Sequence, residues 1–168
     1  MKVVLYMTIT SNGFIAHEDG TVDYALKGAW KSYTNFFKKT GNMIIGKNTY
    51  DIMPKDEFIP ECLYLVLTKN PPKEKKGKNI VFTDKSPKEI ISMLKKKGFK
   101  TIGVGGGGQI NSLFLREGLL DEIIFDVEPV ILSKGLPIFP SIVADCHLEL
   151  LSTKKLSKNE IQLCYKVK

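Results

Sequence analysis

Thr101-Ile102-Gly103-Val104-Gly105-Gly106-Gly107-Gly108-Gln109-Ile110-Asn111-Ser112-Leu113-Phe114 runs from a short apolar segment through four consecutive glycines into residues at helical spacing, Ile110, Leu113 and Phe114. The pattern predicts a strand, a tight turn and a helix. Glycine has no Cβ, so peptide N–H groups in such a turn approach a ligand closely and positive φ is open to them. The helix beyond begins with unpaired N–H groups at the positive end of its dipole, which together suit a phosphate-type anion. A turn alone accounts for one or two glycines. Four in a row cost backbone entropy that a ligand-binding loop would offset.

The same grammar recurs upstream. Met43-Ile44-Ile45 reads as a buried strand and runs into Gly46-Lys47-Asn48-Thr49-Tyr50, a second strand–glycine–helix junction. Cys62 to Thr68 reads as a strand ending at Thr68-Lys69-Asn70. Lys2 to Thr10 reads as a first, central strand, with a short resumption at Phe14-Ile15-Ala16. Tyr24 to Lys39 carries Leu26, Trp30, Tyr33, Phe36 and Phe37 at helical spacing. Ser86-Pro87 with Glu89 marks another helix start, and Gly98 its end. Ser133 to Pro137 reads as a loop, and Leu148 to Thr153 with Glu160 to Val167 as a closing antiparallel hairpin. Strands alternating with helices as far as about residue 120 imply a mostly parallel sheet, hence one α/β domain over residues 1–168.

In such a sheet the strand C-termini share one edge, and ligands bind there. Gly46 to Thr49, Thr68-Lys69 and the glycine run would place two anion sites and a lysine on that edge, which suits a pyrophosphate and one further phosphate. Gly103 to Gly108 also satisfies G-x-G-x-x-G. A dinucleotide fingerprint of that kind opens its fold at the first strand, whereas this one follows four strands, so the phosphate reading stands and the Rossmann reading does not.

Composition narrows the class. Apolar residues make up 43% and charged residues 26% of 168, as in an ordinary globular domain. The net charge of +7 comes from lysines spread along the chain, with Arg116 the single arginine, and reads as a solvated surface. The lysine run from 73 to 78 is expected in a loop. Without an aromatic-interleaved basic stripe, nucleic-acid binding ranks last among the functions considered. No membrane-length apolar stretch occurs, and Met1-Lys2 leads straight into a strand, so a cytoplasmic protein is expected. Cys62, Cys146 and Cys164 form no C-x-x-C pair and read as reduced, buried thiols. His17 and His147 complete no zinc pattern, and no metal site is expected.

Taken together, Tyr6 to Ala16, Met43 to Tyr50, Val66-Leu67-Thr68-Lys69, Val104 to Gly108, Gly118 to Ile123 and Pro129 to Phe139 (PVILSKGLPIF) resemble the dihydrofolate reductase-like superfamily. Within it they are most similar to the riboflavin-biosynthesis reductases, the RibD C-terminal domain family. The resemblance implies a mixed, mostly parallel central sheet flanked by helices, with an antiparallel C-terminal hairpin. It also implies a homodimer that uses NADPH to reduce a small nitrogen heterocycle or ribosylamino-pyrimidine, in the manner of 5-amino-6-(5-phosphoribosylamino)uracil reductase. Dihydrofolate reductase itself and a non-catalytic NADP-binding module are the alternatives.

By that resemblance Gly46, Lys47, Asn48, Thr49, Gly105, Gly106, Gly107, Gly108, Gln109 and Ile110 would hold the pyrophosphate. Thr68 and Lys69 would hold the adenosine 2′-phosphate, and Thr8, Ile15 and Ala16 would lie beside the nicotinamide. Lysine at 47 and 69 keeps the charge of the family's arginines without their bidentate fork. The carboxylate that dihydrofolate reductases carry on the first helix falls near Trp30, which cannot ionise. Asn12 stands where riboflavin-pathway reductases have aspartate. Asn12 is therefore expected to face substrate, with Phe14, Trp30 and Phe37 as an apolar pocket wall, although the helix face around Trp30 and Phe37 reads most simply as core. Asp23 is the candidate proton donor, with water and a plain helix N-cap as the competing assignments.

Overall fold

The computed structural model describes residues 1–73, 77–142 and 144–168. The middle of the 73–78 lysine run lies outside the described residues. Along β1 (Lys2–Thr10), side chains alternate between two cores: Val3, Leu5 and Met7 enter one, Tyr6 the other. The same alternation splits Ile44 from Ile45 on β3 (Asn42–Gly46) and Leu65 from Val66 on β4 (Leu63–Leu67). A sheet apolar on both faces needs a helical layer on each. Helix α3 (Pro87–Lys96) brings Ile90 and Leu94, and α4 (Gly108–Arg116) brings Phe114, to the first core. Helix α1 (Lys27–Thr40) brings Phe37 to the second.

The main sheet has eight strands. With β2 (Phe14–Ala16), β5 (Ile80–Thr83), β6 (Thr101–Gly106), β7 (Glu122–Glu128), β8 (Leu136–Pro137), β9 (Leu148–Lys155) and β10 (Ile161–Val167), its order is β5-β4-β3-β6-β1-β7-β10-β9. Every pairing from β5 to β7 is parallel, and the β9–β10 hairpin adds the antiparallel edge. The expected mixed, mostly parallel sheet with a terminal hairpin is the fold observed. Local signals account for much of it. Ser86 and Glu89 form a reciprocal capping box at the start of α3. Gly41, at φ 68°, ends α1 in the left-handed conformation.

Three expectations need correction. The segment Ser133–Pro137 is not all loop: Leu136 and Pro137 pair with Ala16 and Phe14 as a two-stranded ribbon. Helix α1 starts at Lys27 rather than Tyr24, because its first N–H groups are satisfied from the sheet. Glu128 accepts from the Leu26 N–H (3.2 Å) and Glu160 from the Ala29 N–H (2.8 Å), and residues 21–26 stay outside the helix without regular structure. The cysteines are reduced, but only Cys62 is buried, with its thiol pushed up to about 12 by burial; Cys146 is exposed.

Candidate functional site

Parallel pairing puts the C-terminal ends of β4, β3, β6, β1 and β7 side by side along one edge. Gly46 is in register with Leu67 on one side, and its neighbour Ile45 with Gly106 on the other. Thr10 is in register with Glu128. Thr68-Lys69, Gly46-Lys47 and Gly106-Gly107 therefore leave adjacent strands, within about 10 Å at the usual inter-strand spacing. The three stretches singled out in the sequence converge here.

At the centre of the edge the glycine turn comes close to Thr49. A Cβ on Gly107 would stand 3.0 Å from Thr49 Oγ1 and 4.0 Å from Ile15 Cδ1, so a side chain there would occupy the space between α2 (Lys47–Ile52), β2 and the start of α4. Gly46 lets Ile110 approach, at 3.1 Å from its virtual Cβ. Gly107 is the N-cap of α4 and has no side-chain cap, so the first N–H groups of α4 lack an internal acceptor. Lys69 is exposed and enters no ion pair among the described residues. Lys47 pairs with Asp51 one turn on. Thr8 is half-buried and Ala16 buried, next to Ile15. Asn48 is exposed, and Gln109 accepts from Ser141 at the surface.

The glycines divide their labour. Gly105 is buried beneath Met43 and the Tyr33 hydroxyl, and Gly108 lies under Pro137 and Pro140, so these two serve close packing. Gly106, at φ +98°, makes the left-handed turn and packs on Met7, and Gly107 faces Thr49 and Ile15.

The residues expected to face substrate are less well brought together. Phe37 is fully buried in the core against Gly103 and Tyr6, which removes it from any pocket wall. Both amide atoms of Asn12 are engaged by Leu132: Nδ2 donates to its carbonyl (2.8 Å) and Oδ1 accepts its N–H (3.3 Å). Asn12 thus pins the β1–β2 turn. Phe14 packs over Gly135, and Trp30 is 42% exposed and stacked on Tyr33. Asp23 is neither N-cap nor buried; that cap is Leu26, and the Asp23 carboxylate is 77% exposed and bonded to His17 at 2.9 Å.

Sequence reading missed the buried polar cluster between α1 and the sheet. Asp126, Glu128 and Glu160 are all buried, on the face that carries Tyr6. Tyr6 donates its hydroxyl proton to Asp126 and accepts from the Ser32 hydroxyl, and Gln162 donates to Asp126. Burial, reinforced by Glu160 and opposed by the Gln162 and Tyr6 bonds, raises the Asp126 carboxyl from 3.8 to about 6. Glu128 is raised too, first by burial. An alternation of acid with apolar residues in Glu122–Glu128 was the available signal, but it reads equally as a strand with one solvated face.

The Asp126 shift predicts a pH dependence. The native carboxyl holds its proton between about pH 4 and 6 where the unfolded chain has released it, so stability falls as pH rises through that window. Asp126→Asn removes the effect. Relative to wild type, the variant gains about 2 to 3 kcal/mol between pH 4 and pH 7.5, measurable by urea unfolding at both pH values. An unchanged difference would contradict it.

A separate groove of about 480 Å³, lined by Arg116, Cys146, His147 and Lys168 among others, lies at the opposite edge, by the start of β7. Its side chains are exposed and converge on nothing. Among the described residues, no helix is long and apolar enough to cross a membrane.

Comparison with known proteins agrees with this architecture. The family model described as the RibD C-terminal domain matches residues 60–161. YwjB, an uncharacterized protein of Bacillus subtilis strain 168, is 27% identical over 171 residues, covering 98% of this chain and 97% of that one. A candidate riboflavin biosynthesis protein from Shewanella sp. PV-4 superposes with a TM-score of 0.84 at 20% identity, covering 100% and 99% of the two chains. The Thermotoga maritima diaminohydroxyphosphoribosylaminopyrimidine deaminase/5-amino-6-(5-phosphoribosylamino)uracil reductase gives 0.80 at 16%; 99% of this chain aligns with 56% of that one. Enterococcus faecalis dihydrofolate reductase, complexed with NADP(H) and RAB-propyl, gives 0.70 at 17%, over 99% and 96% of the chains. The fold is dihydrofolate reductase-like.

Proposed function

The chain belongs to the RibD C-terminal domain family, and from that membership and the converging strand ends we propose that it is an NADPH-dependent reductase of a small nitrogen heterocycle or ribosylamino-pyrimidine. The observation that carries the proposal is the close approach of the Gly107 turn to Thr49 and Ile15, which a Cβ at 107 would crowd, beside two further strand ends on adjacent strands.

NADPH fits this donor set. The Gly107 turn and the free N–H groups opening α4 would accept the pyrophosphate, with Thr49 adding a hydroxyl and Lys47 a cation on exchanging Asp51 for phosphate. Thr68 and Lys69 would take the 2′-phosphate. Thr8, Ile15 and Ala16 would wall the nicotinamide and keep water from it. The cofactor supplies the hydride, so the protein's task is alignment. The exposed carboxylate of Asp23 is poorly placed to protonate a shielded substrate atom, which leaves water or a buried acid. The exposed Leu148, Leu150 and Leu151 of edge strand β9 favour a homodimer.

The test is NADPH oxidation at 340 nm with 5-amino-6-(5-phosphoribosylamino)uracil and with dihydrofolate. Turnover of the ribosylamino substrate is expected. Cofactor binding without oxidation of either would instead favour the binding-module reading, for which the lack of a carboxylate at Trp30 speaks. Lys69→Ala should weaken NADPH binding about tenfold while leaving NADH binding unchanged, as loss of one charge-assisted contact predicts. Equal losses for both cofactors would remove Lys69 from the 2′-phosphate site.

A further inference from the structure

The strand order continues past the cofactor residues. Thr68 and Gly107 follow β4 and β6, and Gly46 ends β3; Thr8 lies on β1; β7 comes next, and its last residue is Glu128. Glu128 is fully buried, beside the start of α1. Its Oε1 accepts from the Leu26 N–H, whereas its Oε2, though shielded from solvent, has no hydrogen-bond partner among the described residues. The Tyr24 hydroxyl, close enough for the Glu128 charge to help raise its pKa to about 12 after burial, is likewise buried without a partner. A carboxylate oxygen left without a donor in a low-dielectric site is costly, and such orphans mark places where a ligand completes the hydrogen bonding.

The surroundings narrow the ligand. Val22, Leu26 and Trp30 expose apolar surface along the approach to α1, at 47%, 41% and 42%. Glu160, which contributes to raising the Glu128 pKa, adds negative charge from just before β10, and Asp126 adds more from β7. An apolar, aromatic lip over an acidic floor suits a flat ring that carries N–H donors.

We propose that Glu128 is the substrate-facing carboxylate of this chain, its Oε2 accepting an N–H from a planar ring with an amino or amidine-type edge that stacks beside Trp30. The assignment rests on the reductase reading for the word substrate. It replaces Asp23 and the missing helix carboxylate with an acid delivered by the sheet. Entry requires residues 21–26, which have no regular structure, to lift from Glu128.

The probe is benzamidine, a flat cation with an N–C–N edge, against benzamide, its neutral near-isostere. Trp30 is the only tryptophan, so its fluorescence reports this site in the cofactor-free full-length protein. Saturable quenching by benzamidine is expected, with benzamide at least tenfold weaker. Glu128→Gln, which keeps the acceptor for Leu26, should weaken benzamidine about tenfold or more, as loss of a charged hydrogen bond predicts. Equal affinity for the two probes, or no saturable binding, overturns the assignment without any variant. Equal affinity of wild type and a folded Glu128→Gln, checked by circular dichroism, also overturns it. NADPH titrated calorimetrically on the same samples separates the two ideas. Benzamidine binding that depends on Glu128, with no NADPH binding, retains this site and removes the reductase. NADPH binding with no benzamidine binding does the reverse.

Discussion

Gly107→Ala is expected to lower NADPH affinity by about 100-fold, close to 3 kcal/mol, while leaving the protein folded. The reason is local. Gly107 has φ −74°, which any residue adopts, so a methyl group there brings no left-handed strain. That methyl would stand 3.0 Å from Thr49 Oγ1 and 4.0 Å from Ile15 Cδ1, in the space assigned to the cofactor between the glycine turn and α2. Thr49 can rotate to relieve the contact, so folding stability should change by less than about 1 kcal/mol. Calorimetric titration with NADPH and a thermal melt of the same sample check both halves. Undiminished affinity would mean that the cofactor does not pass between Thr49 and Gly107.

Gly103→Ala should have the opposite signature: a large loss of stability, by overpacking rather than by plugging a site. A Cβ at Gly103 would lie 2.5 Å from Phe37 Cε1 and 3.1 Å from the Asn42 carbonyl oxygen. Phe37 is fully buried among Tyr6, Tyr33 and Phe36 and has little room to retreat. Overpacking of a dense core costs about 1 to 3 kcal/mol, and this contact belongs at the upper end. Phe37→Leu is destabilising alone but makes room for the new methyl, so the double variant should be more stable than the sum of the single effects by about 1 kcal/mol. Urea unfolding of the four proteins gives the coupling. Strict additivity would show that the Phe37 ring is not what Gly103 accommodates.

These two glycines mark the boundary of what the sequence discloses. The run 103–108 announces a strand–turn–helix, but its glycines look alike as letters. Phe37, Met43 and Tyr33 press on Gly103 and Gly105, Met7 on Gly106, Pro137 and Pro140 on Gly108, and Gly107 faces Thr49 and Ile15. Those partners come from distant segments, so no local pattern sorts them. The parallel sheet and the α3 boundaries were legible because strand periodicity, the Ser86–Glu89 box and Gly98 act within a few residues. The start of α1 was not, because its caps are Glu128 and Glu160, about a hundred residues away in sequence. The same long-range contacts hid the acidic floor. An acid in a strand reads as solvent-facing until the element that covers it is known.

The central claim is that one dinucleotide spans three neighbouring strand ends. Amide NMR of the full-length protein during an NADPH titration tests it most directly. Saturable shifts should appear together at Gly46 to Thr49, at Thr68-Lys69 and at Gly106 to Ile110, with one common dissociation constant. Shifts confined to one of these segments, or clustered instead around Arg116 and Lys168 at the opposite edge, would contradict it.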